Sequence, residues 1–382
     1  MSEFIPLATP NIGGREWEYV RECLDTGWVS SVGSYVTRFE QDFAGAVDAE
    51  YAIAVASGTA ALHLSLLLAG VRPGDEVVLP SLTFIATANA VEYCGARPVF
   101  LDCEPDHLQL SPEVLRTWLE EHLGADGRNR KSGAVVRALL PVHILGHPYD
   151  VDAVGRIADE FGLVVVEDAA EALGAKYRGR PVGSKSRLAA FSFNGNKILT
   201  TGGGGMVVTS DEALAERARY LSTQAKDDPV RYVHGEIGFN YRLTNVQAAI
   251  GCAQLERLDE FVDRKREIAA RYDSAFEEED RIQTIRGAPW AEGNAWMYTV
   301  LLEEGAPGPD QVIAAMSKAS VQVRPLWQPL HRSPAFAGVP HPPCPVAEDV
   351  HARAVSLPCS TDLDPVRQER VINTFLRQFR TH

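Results

Sequence analysis

The sequence lacks the features of membrane-spanning and disulfide-stabilised proteins. No apolar run approaches the roughly 20 residues that a helix needs to cross a bilayer. The six cysteines are scattered and none forms a C-x-x-C pair, so the pattern indicates neither a zinc site nor a disulfide framework. The first ten residues, MSEFIPLATP, have no basic segment followed by an apolar stretch, so we expect no signal peptide. Isolated thiols are typical of a reducing compartment, and we expect a cytoplasmic protein that binds no metal.

The chain also lacks an excess of basic residues. Lys and Arg number 37 against 51 Asp and Glu, which gives a formal net charge of −14. Nucleic acids and anionic membranes attract proteins with a positively charged surface. We therefore expect no non-specific binding of this protein to either of them. The composition, 45% apolar and 23% charged, excludes wholesale disorder, and the length of 382 residues indicates two or three domains or one large domain with a satellite.

Between about residues 50 and 210, short apolar runs alternate with helical patterns. Several runs are continuous Val, Leu and Ile, which is typical of strands buried on both faces of a largely parallel sheet. The predicted strands are Tyr51–Ala56, Glu76–Pro80, Pro98–Asp102, Val135–Val142, Leu163–Glu167, Ala189–Phe193 and Met206–Thr209. Helices are predicted between them, at Thr59–Ala69, Ile85–Cys94, Pro112–His122 and Val151–Phe161. The alternation predicts an α/β fold with helices on both faces of the sheet.

The pattern changes after Asp211. The predicted elements are helix Glu212–Leu221, one long helix Val246–Phe276 capped by Thr244 or Asn245, strand Met297–Leu302, helix Pro309–Lys318, strand Val321–Arg324 and helix Pro365–Phe379. We therefore divide the chain into a large α/β domain with an N-terminal segment (1–245) and a long connecting helix with a small α+β domain (246–382). The first 20 residues are expected to pack beside the small unit.

Two predicted strand ends carry residues suited to binding a ligand. Ser57-Gly58-Thr59-Ala60 joins a strand to a helix, and such a turn presents free N–H groups to a phosphate, although taken alone it is more often an ordinary βα turn. Asp168 follows the strand at Leu163–Val166 and so lies at the carboxyl edge of the sheet. It could cap a helix or bind magnesium in a P-loop ATPase. The second alternative needs an upstream G-x-x-x-x-G-K-[ST], and the nearest segment, 179–186, lies downstream with the wrong spacing.

The segment 191–205 is the most informative part of the sequence. A strand ends, Lys197 follows in an Asn/Gly turn, and the glycines 202–205 let backbone approach closely. Most turn lysines are simply exposed, but a lysine in a concave, glycine-lined site can become an amine nucleophile. A phosphate-type turn, then Asp168, then a lysine 29 residues later (197 − 168) provide what pyridoxal phosphate requires. These requirements are a phosphate cradle, an acid for the pyridine nitrogen and an amine for the aldehyde.

On these motifs the chain resembles the DegT/DnrJ family of sugar-nucleotide aminotransferases, which are fold-type I pyridoxal phosphate enzymes. The resemblance extends over nearly the whole chain. The segments that carry it are Ser57-Gly-Thr-Ala-Ala-Leu62, Pro73-Gly-Asp-Glu-Val-Val-Leu-Pro80, Glu167-Asp-Ala-Ala-Glu171, Ser192-Phe-Asn-Gly-Asn-Lys197 and Gly238-Phe-Asn-Tyr-Arg-Leu-Thr-Asn245. It implies an α/β fold of type I, with a mostly parallel sheet and a smaller C-terminal α+β domain.

The resemblance also implies a set of cofactor-binding residues. Lys197 would bond covalently to the cofactor aldehyde, and Asp168 would pair with the pyridine nitrogen, so these two residues are the predicted catalytic pair. Phe84 would stack on the ring, and Glu171 would lie near its O3′ side. The predicted phosphate contacts are Gly58, Thr59, Ala60, Ser192 and, from a second copy of the chain, Asn240, which implies an obligatory homodimer.

Two segments indicate a subgroup of the family. The loop Asp25–Gly33 resembles the nucleotide-sugar-contacting loop of the 4-aminotransferases, which makes Trp28, Ser30 and Ser31 candidate substrate contacts. The segments 223–228 and 234–238 resemble those of the UDP-4-keto-6-deoxy-N-acetylglucosamine 4-aminotransferases of bacillosamine and legionaminic acid pathways. Many relatives have Glu where this chain has Gly203, and often His where it has Asn194. Both departures fit that subgroup.

Three more residues are candidate substrate contacts. His143 ends a predicted strand and could line a pocket, or it could be a packed histidine. Arg324 and His331 belong to the small domain and could contact the nucleotide or the donor carboxylate. An aromatic packing edge is the simpler interpretation of their segment.

The resemblance implies transamination at C4 of a UDP-4-keto-6-deoxy-2-acetamido-hexose, with L-glutamate as amino donor. The alternative within the same class is a GDP-perosamine synthase, whose keto sugar lacks the acetamido group. Sugar 3-dehydration is a third activity, but dehydratases of this family replace the lysine with histidine, so Lys197 argues against it. A non-catalytic regulator with the same fold is a fourth hypothesis, against which Lys197 and Asp168 both argue.

Overall fold

The computed structural model describes residues 3–184, 186–228 and 230–380. In this part of the chain the strands are β1 (Tyr51–Val55), β2 (Glu76–Pro80), β3 (Arg97–Leu101), β4 (Val136–Leu139), β5 (Val164–Asp168), β6 (Lys176–Tyr177), β7 (Arg180–Pro181), β8 (Leu188–Ser192), β9 (Gly205–Thr209), β10 (Lys226–Asp228), β11 (Val233–His234), β12 (Ile282–Thr284), β13 (Ala291–Glu292), β14 (Tyr298–Leu302), β15 (Arg324–Pro325) and β16 (Ala354–Leu357).

The helices are named in the same way. They are α1 (Glu16–Thr26), α2 (Ser34–Ala46), α3 (Gly58–Leu68), α4 (Ala86–Tyr93), α5 (Pro112–His122), α6 (Val151–Phe161), α7 (Glu212–Ser222), α8 (Asn245–Leu255), α9 (Leu258–Phe276), α10 (Pro309–Lys318), α11 (Pro345–Arg353) and α12 (Pro365–Leu376). No helix among the described residues is both long and apolar enough to span a bilayer.

A seven-stranded sheet organises the first half of the chain. Its order is β1-β9-β8-β5-β4-β2-β3, and β9 alone runs antiparallel to its neighbours. The predicted mostly parallel α/β sheet is therefore confirmed. Because the carboxyl ends of β1, β2, β4, β5 and β8 meet at one edge, the residues that follow these strands are brought together there.

Helices cover both faces of this sheet. Phe191 of β8 and Phe193 just after it point to one face, since alternate residues of a strand share a face. Phe39 and Phe43 of α2 pack on them edge to face, with ring centroids 5.2 Å (Phe39–Phe193) and 5.1 Å (Phe43–Phe191) apart. Ala190 belongs to the apolar cluster on the opposite face, beneath α3 and α4. Burying these rings is worth roughly 1.5–3 kcal/mol each.

The second half of the chain forms an antiparallel sheet of order β12-β14-β16-β15. The N-terminal segment packs beside it, as expected, since Ile5 forms a parallel bridge with Val321 and the Thr9 N–H donates to Ser360 Oγ at 2.8 Å. The predicted strand Val321–Arg324 is displaced. Val321 pairs with the N-terminal segment instead, and the ladder with β16 begins only at Arg324.

The long helix predicted over 246–276 is two helices. The Thr244 side chain caps α8 and accepts from the Gln247 N–H, as predicted, but regular helix stops before Glu256 and resumes at Leu258. The two pieces bury different faces. The buried residues of α8 pack toward α1 and α2, whereas α9 packs against β12 and α12 of the small unit. One straight helix could not present both faces, so the break turns the chain.

Candidate active site

A cavity of about 220 Å³ opens at the carboxyl edge of the large sheet. Seven of the residues named from the sequence line it together: Gly58, Thr59, Phe84, Asp168, Glu171, Ser192 and Lys197. They follow β1, β2, β5 and β8, so the parallel strands of the sheet are what bring them together. The other walls include Thr87, Asn194, Gly203, Trp296 and Trp327.

Lys197 is held at one side of the cavity. Its Nζ lies 3.7 Å from Oε1 of Glu171 and 4.0 Å from the ring centroid of Trp296. The Trp296 indole N–H donates to the carbonyl of Asn196 at 2.7 Å, which fixes the backbone next to the lysine. Burial lowers the pKa of the Lys197 ammonium, while the charges of Glu171 and Asp168 oppose that shift. A lysine with a lowered pKa more readily presents the free amine that a nucleophile requires.

Glu171 is buried and forms a close pair with this lysine. Its Oε2 accepts the Leu145 N–H at 2.8 Å, which orients the other oxygen toward Lys197. Burial raises the pKa of Glu171 to about 7, against the opposing effect of Lys197. Burial favours the uncharged form of both groups, whereas their mutual attraction favours the charged pair.

Asp168, at the end of β5, is also buried. Its Oδ2 accepts the Thr87 hydroxyl at 2.7 Å and its Oδ1 accepts the Ala170 N–H at 3.1 Å. Burial raises the pKa of Asp168, whereas the Thr87 and Ala170 hydrogen bonds act in the opposite direction. The charged form of such a carboxylate is stabilised by a cationic partner in the cavity, and a protonated pyridine nitrogen is one.

The opposite end of the cavity is suited to a phosphate. The Ser57 side chain caps α3 by accepting the Ala60 N–H at 3.1 Å. The N–H groups of Gly58 and Thr59, in the first turn, have no intrahelical acceptor, and the helix dipole favours an anion there. The Ala60 N–H, predicted as a phosphate contact, is already used by the cap.

Gly58 is required where it stands because β8 passes close to this turn. A Cβ at position 58 would lie 2.6 Å from Cβ of Ser192, closer than side chains pack. A Cβ at position 205 would lie 2.5 Å from the carbonyl oxygen of Ser57. The two glycines thus let the turn and the strands approach each other, which places Ser192 beside the end of α3.

Aromatic rings form the remaining wall. Phe84 is half exposed, and its ring centroid lies 6.1 Å from that of Trp327, which lies 6.2 Å from that of Trp296. A flat ring can enter beside Phe84, with the acid, the amine and the free N–H groups around its edge. These residues therefore fit pyridoxal phosphate on their chemistry: amine, acid, anion-binding turn and stacking ring.

Sequence reasoning missed two residues that contact Asp168 or Lys197, namely Thr87 and Trp296. Thr87 stands three residues after Phe84, near the start of α4, and this closeness in sequence was a usable signal. Trp296 lies 100 residues beyond Asn196, whose carbonyl it binds, and no local pattern connects the two.

The structure does not bring His143 into the cavity. Val142, the preceding residue, lines the cavity, and successive side chains of an extended segment point to opposite sides. The His143 imidazole is fully buried behind the sheet, where Nε2 lies 3.0 Å from Oε2 of Glu167 and the ring stacks on Tyr149. Its backbone N–H donates to the Asp168 carbonyl at 3.1 Å, so the backbone at His143 is hydrogen-bonded to the end of β5.

Nor do the other substrate candidates line the cavity of their own chain. Trp28 and Ser30 are exposed and Ser31 is half-buried, in a loop held through its backbone by Asn245, whose side chain donates to the Trp28 carbonyl at 2.7 Å. Arg324 is exposed in β15. The His331 imidazole contacts Ser81 and Glu348 instead. Asn240, predicted to act on the second copy, is exposed.

The fold and this site define a fold-type I pyridoxal phosphate enzyme. The chain belongs to the DegT/DnrJ/EryC1/StrS aminotransferase family, whose model matches residues 10–376. It is thus a pyridoxal phosphate-dependent sugar aminotransferase, as the sequence implied.

Named relatives cover the whole chain. EpsN of Bacillus subtilis, whose name describes a pyridoxal phosphate-dependent aminotransferase, is 40% identical over 385 residues, which cover 100% of this chain and 97% of EpsN. GDP-perosamine synthase of Caulobacter vibrioides is also 40% identical, with 96% of both chains covered. Among solved structures, the aminotransferase TlmJ from Streptoalloteichus hindustanus has a TM-score of 0.89 and 32% identity, with 99% of both chains covered.

Proposed function

We propose that the enzyme transfers the amino group of L-glutamate to C4 of a UDP-4-keto-6-deoxy-2-acetamido-hexose, giving a UDP-4-amino sugar for glycan biosynthesis of the bacillosamine or legionaminic acid type. In the net reaction the amino group and the hydrogen on the α-carbon of glutamate move to C4 of the sugar. The keto oxygen of the sugar is replaced, and the α-carbon of glutamate gains a keto oxygen. Glutamate leaves as 2-oxoglutarate, so no external oxidant or reductant is needed.

The residues of the cavity support amino transfer. Pyridoxal phosphate, when bound, supplies an aldehyde that carries the amino group and a pyridine ring that accepts electrons from the reacting carbon. Asp168 holds a proton at the pyridine nitrogen, and Thr87 orients that carboxylate. Lys197 is placed to move the proton of the reacting carbon, with Glu171 3.7 Å away to exchange protons with it.

The observation that carries the substrate class is the position of Asn194 and Gly203. These are two motif positions at which this chain differs from the residue that many relatives have, and both line the cavity. Where many relatives have a glutamate, Gly203 leaves uncharged free space, since a Cβ added there would contact only Nε2 of Gln247, at 3.7 Å. An acetamido group is larger than a hydroxyl and neutral, so this space suits a 2-acetamido sugar.

A GDP-4-keto-6-deoxy sugar is the second candidate substrate. GDP-perosamine synthases of Caulobacter vibrioides, Escherichia coli O157:H7 and Vibrio cholerae are 40%, 38% and 33% identical to this chain. Purified enzyme offered each keto sugar with L-glutamate separates the two candidates. We expect a kcat/KM at least tenfold higher for the UDP-linked acetamido sugar. A preference for the GDP-linked sugar would overturn the proposal and establish the alternative.

Substitution of Gly203 tests whether this position distinguishes the C2 substituent. Gly203→Glu is expected to lower kcat/KM for the acetamido sugar by about tenfold, since a charge or a bulky group there costs on the order of 1–2 kcal/mol. The hydroxyl sugar should lose less than about threefold. Gly203→Gln matches the size without the charge, and Gly203→Ala controls for the backbone. If no variant changes the ratio of kcat/KM between the two sugars, Gly203 does not contribute to recognition of the C2 substituent.

We propose that the active enzyme is a homodimer in which Asn240 completes the site of the other copy. Asn240 is exposed and absent from its own cavity wall. The adjoining segment exposes Val230 (84%), Tyr232 (73%) and Ile237 (87%), and such a concentration of exposed apolar side chains is typical of an interface.

Mixing two inactive variants tests the shared site. Lys197→Ala and Asn240→Ala, each inactive alone, are expected to recover about a quarter of wild-type activity when their subunits exchange. When equal amounts of the two variants exchange subunits fully, half of all dimers contain one subunit of each variant. Each of these hybrid dimers has one intact site and one inactive site. Light scattering checks the mass, and a labelled subunit checks exchange. Full exchange with no recovery would show that each chain builds its own site.

A further inference from the structure

A second cluster of reactive side chains lies outside the cofactor cavity, at the start of α11. One nitrogen from each imidazole of His331 and His341 and the sulfur of Cys344 lie within 4.8 Å of one another. His331 and Cys344 are buried, whereas His341 is exposed. None of the three lines the cavity of Lys197, so amino transfer does not account for the cluster.

The local sequence favours metal chelation. His341 and Cys344 are three residues apart in Pro340-His-Pro-Pro-Cys-Pro345, and residues 340–344 form no regular helix or strand. Pro342 and Pro343 between them fix the backbone φ angles and have no N–H to donate. Two ligands three residues apart on a stiff segment lose little conformational entropy on binding one ion. This H-x-x-C arrangement differs from the C-x-x-C pattern that is typical of zinc sites.

The hydrogen bonds of His331 orient it as a ligand. Its Nδ1 lies 2.6 Å from Oγ of Ser81 and its Nε2 lies 2.8 Å from Oε1 of Glu348. The Glu348 carboxylate accepts a hydrogen bond, so Nε2 carries the proton in this arrangement; on metal binding the ring would instead be protonated at Nδ1, which would donate to Ser81 and leave the Nε2 lone pair for the metal. A hydrogen bond from the second ring nitrogen is the arrangement that metal-binding histidines use.

His341 is oriented in a similar way. Its Nδ1 lies 2.8 Å from the carbonyl oxygen of Pro342, which can only accept a hydrogen bond. The proton is therefore on Nδ1, and Nε2 keeps its lone pair. The side chain is exposed, so it can turn toward the other ligands without disturbing the core.

We propose that His331, His341 and Cys344 bind one zinc ion. Thiolate and imidazole ligands together select zinc over calcium or magnesium. Tetrahedral zinc places its nitrogen and sulfur ligands about 3.5 Å apart, so side chains within 4.8 Å reach it by small rotations. On binding, Cys344 releases its thiol proton to solvent and the sulfur bonds to the metal.

The site would stabilise the aromatic wall of the cavity. The Leu330 N–H donates to the Ser81 carbonyl at 2.8 Å, and Ser81 precedes Phe84 by three residues. His331 in turn follows Trp327 by four residues. A zinc ion at His331 would therefore fasten the segment carrying Trp327 to the loop carrying Phe84. Its role would be structural, since no ligand reaches the reacting atoms.

Metal analysis of the purified full-length enzyme tests this proposal. After loading with zinc chloride and desalting, wild type is expected to retain about one zinc per chain. Affinity should fall at least tenfold in His341→Ala and in Cys344→Ser. His107→Ala, which removes an imidazole elsewhere, should bind zinc like wild type. His341 is exposed, so its variant should fold, and circular dichroism checks this.

Cobalt chloride gives an independent readout. Cobalt in place of zinc should produce a thiolate-to-metal charge-transfer band that Cys344→Ser loses and Lys197→Ala keeps. The Lys197→Ala arm separates this proposal from the proposed function, since zinc binding does not need an active site. Either of two results would overturn the site: no zinc retained by wild type, or equal retention in His341→Ala.

Discussion

Lys197→Ala is expected to abolish amino transfer, with a loss of kcat of at least about 10³-fold. Lys197 both bonds to the cofactor and moves the proton, and general acid–base catalysis alone contributes about 10²–10⁴-fold. Removing it leaves no other amine on the described cavity wall. Turnover with L-glutamate and the keto sugar measures the loss.

Covalent labelling gives the same prediction a second readout. Borohydride reduction of the wild-type holoenzyme followed by peptide mass mapping should find the cofactor on Lys197, and the alanine variant should carry none. Lys176→Ala, which removes an exposed lysine, should be labelled and active like wild type. Lys197→Arg keeps a positive charge but cannot form the bond, so it should be as inactive as alanine. Cofactor trapped on another lysine would refute the assignment.

Asp168→Asn has the second-largest expected effect, a loss of kcat of about 10²–10³-fold. An amide has nearly the shape of the carboxylate, and it can still accept the Thr87 hydroxyl at 2.7 Å. It has no charge, so it cannot stabilise a proton on the pyridine nitrogen. The ring then accepts electrons poorly, although cofactor and substrate still bind. Steady-state kinetics should show the loss in kcat rather than in KM.

Thr87→Val is the matched control for that experiment. It keeps the carboxylate and removes only the hydroxyl that donates to it, a hydrogen bond to a charged group worth about 1.5–3 kcal/mol. The Asp168 pKa rises, so a smaller loss of roughly tenfold is expected. If Asp168→Asn loses no more than Thr87→Val, the charge of Asp168 is not what the reaction requires.

The sheet and its catalytic edge could be predicted from the sequence. Continuous apolar runs are typical of strands buried on both faces, and the predicted β2 at Glu76–Pro80 agrees with the structure at both ends. Ligand-binding residues in such folds follow the strands directly. Gly58, Asp168 and Lys197 could therefore be assigned to one site from their places in the chain alone.

The face on which a side chain lies was harder to predict. His143 follows β4 as Asp168 ends β5, yet only Asp168 faces the cavity. Successive side chains of an extended segment point to opposite faces, so a shift of one residue reverses the face. Strand β4 ends at Leu139, three residues before the predicted end at Val142, so the prediction did not fix the face on which His143 lies. The prediction of one long helix over residues 246–276 was wrong for a related reason. Its apolar spacing continues through residue 257, but the two halves pack against different units.

The sequence by itself determined the α/β architecture, the cofactor and the residues that follow each strand, because these depend on local periodicity and on chain order. Only the tertiary structure placed Trp296 over Lys197 and brought Thr87 to Asp168. It also brought His331 within reach of His341 and Cys344. Those contacts depend on how separate elements pack, and packing is decided by side-chain shape and burial over the whole molecule rather than by any local pattern.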